Sequence, residues 1–282
     1  MTGLERVRVV LVEPEGPLNI GSAARVMKNF GLHHLVLVNP QCDAVGELAQ
    51  QMAVHAKDVL LAAEQVDSLG AALTGCGLAI ATTARDRDLS RPLSLPETEF
   101  PHLLDPAFTQ TALVFGPESR GLNNDELCQA QRFVKIPTDG AYPSLNLAQA
   151  VALCCYDLSR LGRSASPQAT APQLLPNGPT SGTPSSIPTA APSGPPATLD
   201  ALDRYYAHLE LVLLKVGYLY PHTATKRMRK FRQLLHRTMP TAAELALLRG
   251  VLRQVEWALA QPVPDRTPAS PSPSEQEPET TA

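Results

Sequence analysis

The chain has 282 residues, 44% of them hydrophobic, a formal net charge of -3 and five cysteines. It is long enough to bury a sizeable core, expected as one main domain with a smaller one, and its charge excludes a uniformly basic protein, so any grip on nucleic acid must come from a local patch. No apolar run could span a bilayer and no signal-peptide pattern precedes the first strand, while Cys42, Cys76, Cys128, Cys154 and Cys155 show no metal-ligand spacing, so a metal-free protein of the reducing cytoplasm is expected.

Val7 to Val12 is an unbroken apolar and β-branched run, as in a strand buried on both faces. A loop from Glu13 to Leu18 follows, then a helix from Asn19 to Phe30, opened by small residues that allow close packing and closed by Gly31 as a left-handed cap. Leu35 to Val38 supplies the next strand, so strand, helix and strand follow as in a parallel α/β unit. Arg25 falls in the first turns of that helix, where a guanidinium is either an ordinary surface charge or a fork for phosphate or ribose oxygens. Gly46 to His55 and Val66 to Leu73 read as helical, Leu78 to Thr82 as a strand, and Leu93 to Pro106 as a proline-rich acidic loop.

Two loops then dominate. Ala112 to Phe115 reads as a buried strand ending in Gly116-Pro117-Glu118-Ser119-Arg120-Gly121-Leu122, with glycines where side chains would keep a ligand from the backbone. Asn123 with Glu126 makes a capping-box start. Arg132 to Pro137 is a further strand, and from Ser144 the chain reads as helical with Leu145, Ala148, Ala152, Tyr156 and Ser159 on one face. About five strands with helices between them make an α/β domain over residues 1–163, and ligands of such sheets bind at the strand ends.

From 164 to 198 the chain is mostly Pro, Ser, Thr, Ala and Gly without a charge, a composition that cannot bury a core and is expected as a disordered linker; 261–282 is expected as a disordered tail. Between them, 199–260 reads as three helices. Leu202, Tyr205, Leu209, Val212 and Val216 stripe the first, which ends at Gly217; Thr241 and Glu244 box the start of the third, striped by Leu245, Leu248, Leu252, Val255 and Leu259. These stripes suit a small core or a dimer contact. Lys215 to Arg237 has no acidic residue, yet holds Lys226, Arg227, Arg229, Lys230, Arg232 and Arg237 among Tyr218, Tyr220, His222 and Phe231. Such a run is either a solvated face or an RNA contact, and its one-sidedness in an acidic chain points to RNA.

Asn19 to Arg25, Phe115-Gly116-Pro117-Glu118-x-x-Gly121-Leu122 and Ser144-Leu145-Asn146-Leu147-Ala148 together resemble, in order and spacing, the three motifs of the SPOUT class of RNA methyltransferases. The helical 199–260 segment is similar to the extension of the TrmJ-type tRNA 2'-O-ribose methyltransferases. The resemblance implies a parallel sheet with a deep trefoil knot, S-adenosylmethionine in the knot loops, a tRNA substrate and a site completed across a homodimer. It places Thr82, Thr83, Ala84, Gly116, Ile136, Pro143, Ser144 and Leu145 against the cofactor and gives Arg25 a catalytic role. Asn19 and Glu118 fall on the substrate RNA side, and Lys226, Arg227, Arg229 and Lys230 extend the RNA contact. The chain departs from the family at Pro143, where a serine is usual, and proline has no N–H to donate.

The implied reaction is an in-line displacement at a sulfonium methyl by the ribose 2'-hydroxyl of a cytidine or uridine in the tRNA anticodon loop. It calls for alignment, a partly dry site and help for the hydroxyl as it loses its proton. A guanidinium stays protonated and cannot serve as a free base, so Arg25 is expected as a clamp and oxyanion stabiliser, with Ser144 positioning the reactants. The alternatives are a ribose methylase of ribosomal RNA, a ribose methylase of the wobble position, against which alone the C-terminal extension speaks, and an RNA-binding protein without catalysis.

Overall fold

A computed structural model describes residues 3–84, 93–164 and 194–261; most of the linker expected over 164–198 and nearly all of the tail expected over 261–282 lie outside the described residues, as do residues 85–92. The strands are β1 (Val7–Val12), β2 (His34–Val38), β3 (Glu64–Val66), β4 (Leu78–Thr82), β5 (Thr111–Phe115) and β6 (Arg132–Val134), all parallel in the order β3-β2-β1-β5-β4-β6. The helices are α1 (Pro17–Asn29), α2 (Glu47–Ala53), α3 (Lys57–Leu61), α4 (Leu69–Ala72), α5 (Pro96–Leu103), α6 (Asn124–Leu127), α7 (Leu147–Ser164), α8 (Leu199–Lys215), α9 (Pro221–Thr238) and α10 (Ala242–Ala260).

The sheet thus has one strand more than the sequence suggested. Glu64–Val66 is three residues long, pairs with β2 alone, and carries none of the apolar continuity that marks β1. The stretch expected as a helix from Val66 starts instead at Leu69, where Ser68 caps it by accepting a hydrogen bond from the Ala71 amide. The loop expected over 93–106 contains α5. Pro96 at its first position has no N–H to lose there, and Glu97 and Glu99 in the first turn favour the helix dipole.

Strand alternation sorts the apolar side chains onto two faces. Val7, Val9 and Leu11 join Leu35 and Leu37 under α1, α3, α5 and α7, while Val10, Val12, Val36 and Val38 face the other way. On that second face the main domain supplies only α4 and α6, four residues each. The cover is completed by α8 through Leu199, Leu202, Tyr205, Tyr206, Leu209 and Val212, all buried, with Met228, Leu245 and Leu252 behind them. The C-terminal stripes therefore form a small core continuous with the sheet, and each fully buried leucine there contributes roughly 2 kcal/mol. At the junction the Leu199 amide donates to the Cys76 carbonyl (2.8 Å) and the Gly75 amide to Asp200 Oδ1 (3.1 Å). Val216 and Leu259, expected within those stripes, are exposed.

The start and phase of α7 also differ from expectation. It begins at Leu147 rather than Ser144, because Asn146 caps it, its Oδ1 accepting from the amides of Ala148 (2.9 Å) and Gln149 (3.4 Å). Its buried stripe is Leu147, Val151, Cys154, Leu158 and Gly162, and Tyr156 is exposed, edge-on to Phe30 of α1.

Candidate functional site

The order of the sheet reverses direction beside β1, where β5 lies against it, and the loops at the carboxyl ends of β4, β5 and β6 open onto one cleft. Every residue expected against a cofactor lines it: Thr82, Thr83 and Ala84 after β4, Gly116 after β5, Ile136 after β6, and Pro143, Ser144 and Leu145 before α7. Phe115, Leu122, Leu147 and Ala150 add apolar wall. The Thr82 hydroxyl donates to the Val114 carbonyl (3.1 Å) and the Thr83 amide to that of Val134 (3.0 Å), which pins this loop to both neighbouring strands. Ser144 is exposed and its hydroxyl makes no hydrogen bond among the described residues. Pro143 offers its ring to the cleft, and its carbonyl accepts from Thr138 Oγ1 (3.4 Å).

The two glycines of the β5 loop serve its backbone in different ways. A Cβ on Gly116 would fall 2.3 Å from the Leu122 nitrogen and 2.5 Å from the Gly121 carbonyl carbon, so the loop closes on its own backbone there. A Cβ on Gly121 would meet nothing within 4 Å, but its φ of +64° is left-handed. Gly116 is needed for the loop to close on itself, while Gly121, which also lines the cleft, supplies a left-handed turn with open space where a side chain would stand.

That loop is fastened by charge. Glu118 accepts from the amides of Glu15 (3.0 Å) and Gly16 (3.2 Å) and from Asn19 Nδ2 (2.7 Å). Asn19 Oδ1 in turn accepts from Asn146 Nδ2 (3.0 Å), so one chain of hydrogen bonds joins all three sequence motifs. Arg120 forks onto both oxygens of Glu126 (2.8 and 2.9 Å) and also donates to Glu13 Oε2 (2.6 Å), and these bonds, Glu126 first, raise its pKa further. Glu126 also accepts from the Asn123 amide (2.6 Å) while Asn123 accepts from the amides of Asp125 and Glu126, the capping box expected at α6. Glu13 sits at a left-handed φ of 45°, a strained conformation for a non-glycine residue that directs its carboxylate to Arg120. Asn146, Arg120 and Glu13 carry no local signal for these contacts, and Glu126 is marked in the sequence only as the capping-box partner of Asn123. Their partners lie up to 127 positions away, and only the capping box had a local signal.

Arg25 is not among the residues that line the cleft. It is exposed on α1, without a hydrogen bond or ion pair among the described residues. Six positions beyond Asn19, it lies about 9 Å further along the helix axis and roughly 120° around it. Leu18 shares its side of α1 and is 48% exposed, and α7 alongside exposes Leu153 and Tyr156.

The cations expected against RNA fall into two classes. Lys226 and Lys230 are exposed and unpaired among the described residues. Arg229 pairs with Asp125 of α6 (2.6 Å), and Arg227 donates to the Tyr218 carbonyl (2.7 Å). Arg232 pairs with Asp203 and lies over the Tyr206 ring at 4.6 Å. Among the described residues no cluster of His, Cys, Asp and Glu could hold a metal ion, and no helix is long and apolar enough to cross a membrane. All five cysteines are free, and burial raises each thiol, to about 11 at Cys76 and about 12 at Cys155, so none is a thiolate at neutral pH.

Residues 6–156 match the SpoU rRNA Methylase family, and residues 200–265 match the C-terminal domain of the tRNA methyltransferase TrmJ. The chain is 40% identical over 257 residues to the tRNA (cytidine/uridine/adenosine-2'-O-)-methyltransferase TrmJ of Pseudomonas aeruginosa, covering 90% of this chain and 95% of the relative. It is 38% identical to the tRNA (cytidine/uridine-2'-O-)-methyltransferase TrmJ of Pectobacterium atrosepticum, with 90% and 98% covered. The crystal structure of TrmJ from Z. mobilis superposes with a TM-score of 0.72 at 31% identity, over 88% of this chain and 98% of that one.

Proposed function

The chain belongs to the TrmJ family of SpoU-class methyltransferases, and from that premise we propose that it methylates the ribose 2'-hydroxyl of a pyrimidine in the tRNA anticodon loop, at its first nucleotide, with S-adenosylmethionine as donor. The trefoil knot of the class comes with that membership. The observation that carries the reading is the cleft at the carboxyl ends of β4, β5 and β6, lined by the second and third motifs and tied to the first by the Glu118–Asn19–Asn146 chain.

The residues present suit the cofactor. Leu122, Leu147 and Ala150 give apolar wall for a purine, and the Thr82–Ala84 and Pro143–Leu145 segments bring hydroxyl and backbone groups for the sugar and amino-acid parts. When bound, S-adenosylmethionine supplies an electrophilic methyl on a sulfonium. Glu118 already accepts three hydrogen bonds and serves as the anchor of the cleft, with Asn19 bridging it to α7 on the RNA side. Ser144, with a free hydroxyl at the rim, positions the reactants. Arg25 holds the ribose and adjoining phosphate and stabilises oxygen charge as the 2'-hydroxyl loses its proton. Lys226 and Lys230, with Arg227 beside them, contact RNA phosphates, whereas Arg229 fastens α9 to α6.

Because Arg25 stands apart from the cleft of its own chain, the functional unit is a homodimer in which Arg25 serves the cleft of the partner. Leu18, Leu153 and Tyr156 give the apolar surface that such a contact covers.

The first experiment is methyl transfer from labelled S-adenosylmethionine to bulk tRNA and ribosomal RNA, with nucleoside analysis of the product. Label in 2'-O-methylcytidine or 2'-O-methyluridine of tRNA is expected. Label confined to ribosomal RNA would overturn the substrate, and label in adenosine would widen the base range to that in the name of the Pseudomonas relative. Arg25→Ala should lose turnover by 10²-fold or more, about what one lost oxyanion donor costs, while keeping cofactor affinity. Mixing it with a Gly116→Val variant tests the dimer. If Arg25 acts across the interface, a mixed dimer has one intact site and about a quarter of wild-type activity returns; if it acts within its own chain, none does.

A further inference from the structure

The turn between α8 and α9 exposes two aromatic rings that the core does not use. Gly217, left-handed at φ +78°, takes the chain out of α8, and the amides of Tyr218 and Leu219 both donate to the Leu213 carbonyl (3.0 and 3.1 Å). Leu219 is buried, and the residues on either side of it point outward: Tyr218 is 52% and Tyr220 55% exposed. Both rings are braced. The Arg227 guanidinium lies 5.3 Å from the centre of the Tyr218 ring and donates to the Tyr218 carbonyl, and Phe231 meets that ring edge-on at 6.4 Å. Tyr220 stacks on His222 at 5.9 Å with 22° between the planes. Rings already held by neighbours lose little freedom when a ligand stacks on them.

The charge around them is one-sided. Lys226 and Lys230 follow His222 at i+4 and i+8, hence on one face of α9, and both are unpaired among the described residues. No acidic residue occurs between Lys215 and Arg237. Two exposed π faces beside unpaired cations fit a polyanion that also carries flat rings. A duplex hides its base faces in the stack, whereas an unpaired strand offers them.

We propose that this corner is a stacking site for an unpaired base of the RNA, with Tyr218 and Tyr220 taking the base faces and Lys226 and Lys230 the flanking phosphates. The proposal rests on the RNA-methyltransferase reading above and assigns the α8–α9 turn the single-stranded part of the substrate. Its selectivity is for strandedness rather than sequence, because every base has a π face.

The test compares the full-length protein with three paired variants, Tyr218→Leu with Tyr220→Leu, Tyr218→Phe with Tyr220→Phe, and Lys226→Ala with Lys230→Ala. Each is titrated by fluorescence anisotropy, over a range of salt, with a labelled RNA hairpin having an unpaired loop and with a blunt duplex of the same stem. The leucine pair should weaken hairpin binding about tenfold or more without changing the salt slope, and leave duplex binding unchanged. The phenylalanine pair should bind as wild type. The lysine pair should weaken both RNAs and lower the salt slope by about two. Unchanged hairpin affinity in the leucine pair, with the lysine pair impaired, would overturn the stacking site and leave RNA contact by α9 standing. A phenylalanine pair as weak as the leucine pair would move the contact from the ring faces to the hydroxyls and also overturn it. Unchanged binding in all three would remove α9 from the RNA contact altogether.

Discussion

The cleft and the outer edge of α9 are both charged, and they are built on opposite plans. In the cleft each charge has a partner: Glu118 takes three donors, and Arg120 holds Glu126 and Glu13 at once. On α9, Lys226 and Lys230 have none, and neither does Arg25 on α1, among the described residues. A site for a small ligand of fixed shape gains from groups already fixed in place, because little order is then lost on binding. A surface for a long polyanion gains from cations that are free to release counterions and to follow the phosphates. Arg229 and Arg232, each paired with an aspartate, are fixed in the manner of the first plan although their sequence suggests the second.

The sharpest way to break the contrast is at Gly116. In Gly116→Val the new side chain meets the backbone of Gly121 and Leu122, so the loop must open and carry Glu118 with it. Cofactor binding by calorimetry should be lost and turnover fall 10²-fold or more, the scale of an ångström of misplacement. RNA affinity should hold, since α9 is untouched. Equal loss of both would mean that the two regions are one binding unit.

A milder change loosens the cleft without blocking it. Arg120→Ala leaves Glu13 and Glu126 without their shared cation; Arg120 and Glu13 are more than a third exposed and only Glu126 is largely shielded, so stability should fall by about 1 kcal/mol after screening. Cofactor affinity should fall about tenfold, because the β5 loop is then held only by Glu118 and by the Ser119 hydroxyl on Glu15 among the described residues. Arg120→Lys should not restore it, since one ammonium cannot fork onto a carboxylate. Full affinity in Arg120→Ala would show that the Glu118 anchor suffices.

Much of this arrangement was legible in the sequence where the signal is local. The capping boxes at Asn123/Glu126 and Thr241/Glu244 are formed as read, and the cleft gathers every residue that the family resemblance, rather than any local pattern, sets against a cofactor. What was not legible depends on distance along the chain. Asn19 and Asn146 meet across 127 positions, and Glu118 and Asn19 across 99. Arg229 read as an RNA contact because no acid lies near it in sequence, but Asp125 reaches it from 104 positions away. The start of α7 is hidden because Asn146 acts through its side chain as a cap rather than as a helical residue, and of the expected face only Ser159 is buried. Strand β3 was missed because three residues at a sheet edge leave too short a pattern.

The junction between the regions can be weighed by acid. Burial alone would raise the Asp200 carboxyl, but hydrogen bonds from Thr198, the Gly75 amide and Arg204 outweigh it and hold the carboxyl below its usual range. The folded value lies below the unfolded one, so this stabilisation is complete above the unfolded value near pH 4 and is lost as pH falls through the folded value. Urea melts should show Asp200→Asn less stable than wild type at neutral pH, with the difference vanishing in acid. A difference that persists in acid would assign the effect to lost packing rather than to the charge.

The smallest effect separates the two kinds of cation on α9. Arg229 and Lys226 lie three positions apart on one helix, one paired with Asp125 and one free. The Arg229–Asp125 pair is largely solvated on the aspartate side, so Arg229→Ala should cost well under 1 kcal/mol in thermal unfolding and leave the salt slope of RNA binding nearly unchanged. Lys226→Ala should do the reverse, with no change in unfolding and a slope lower by about one. The discriminating variant is Asp125→Asn. It releases Arg229, and if pairing is what withholds that arginine from the RNA, the slope should rise above wild type. A slope that stays at the wild-type value would place Arg229 out of reach of phosphate whatever its partner, and the division between the two classes of cation would then be one of position rather than of pairing.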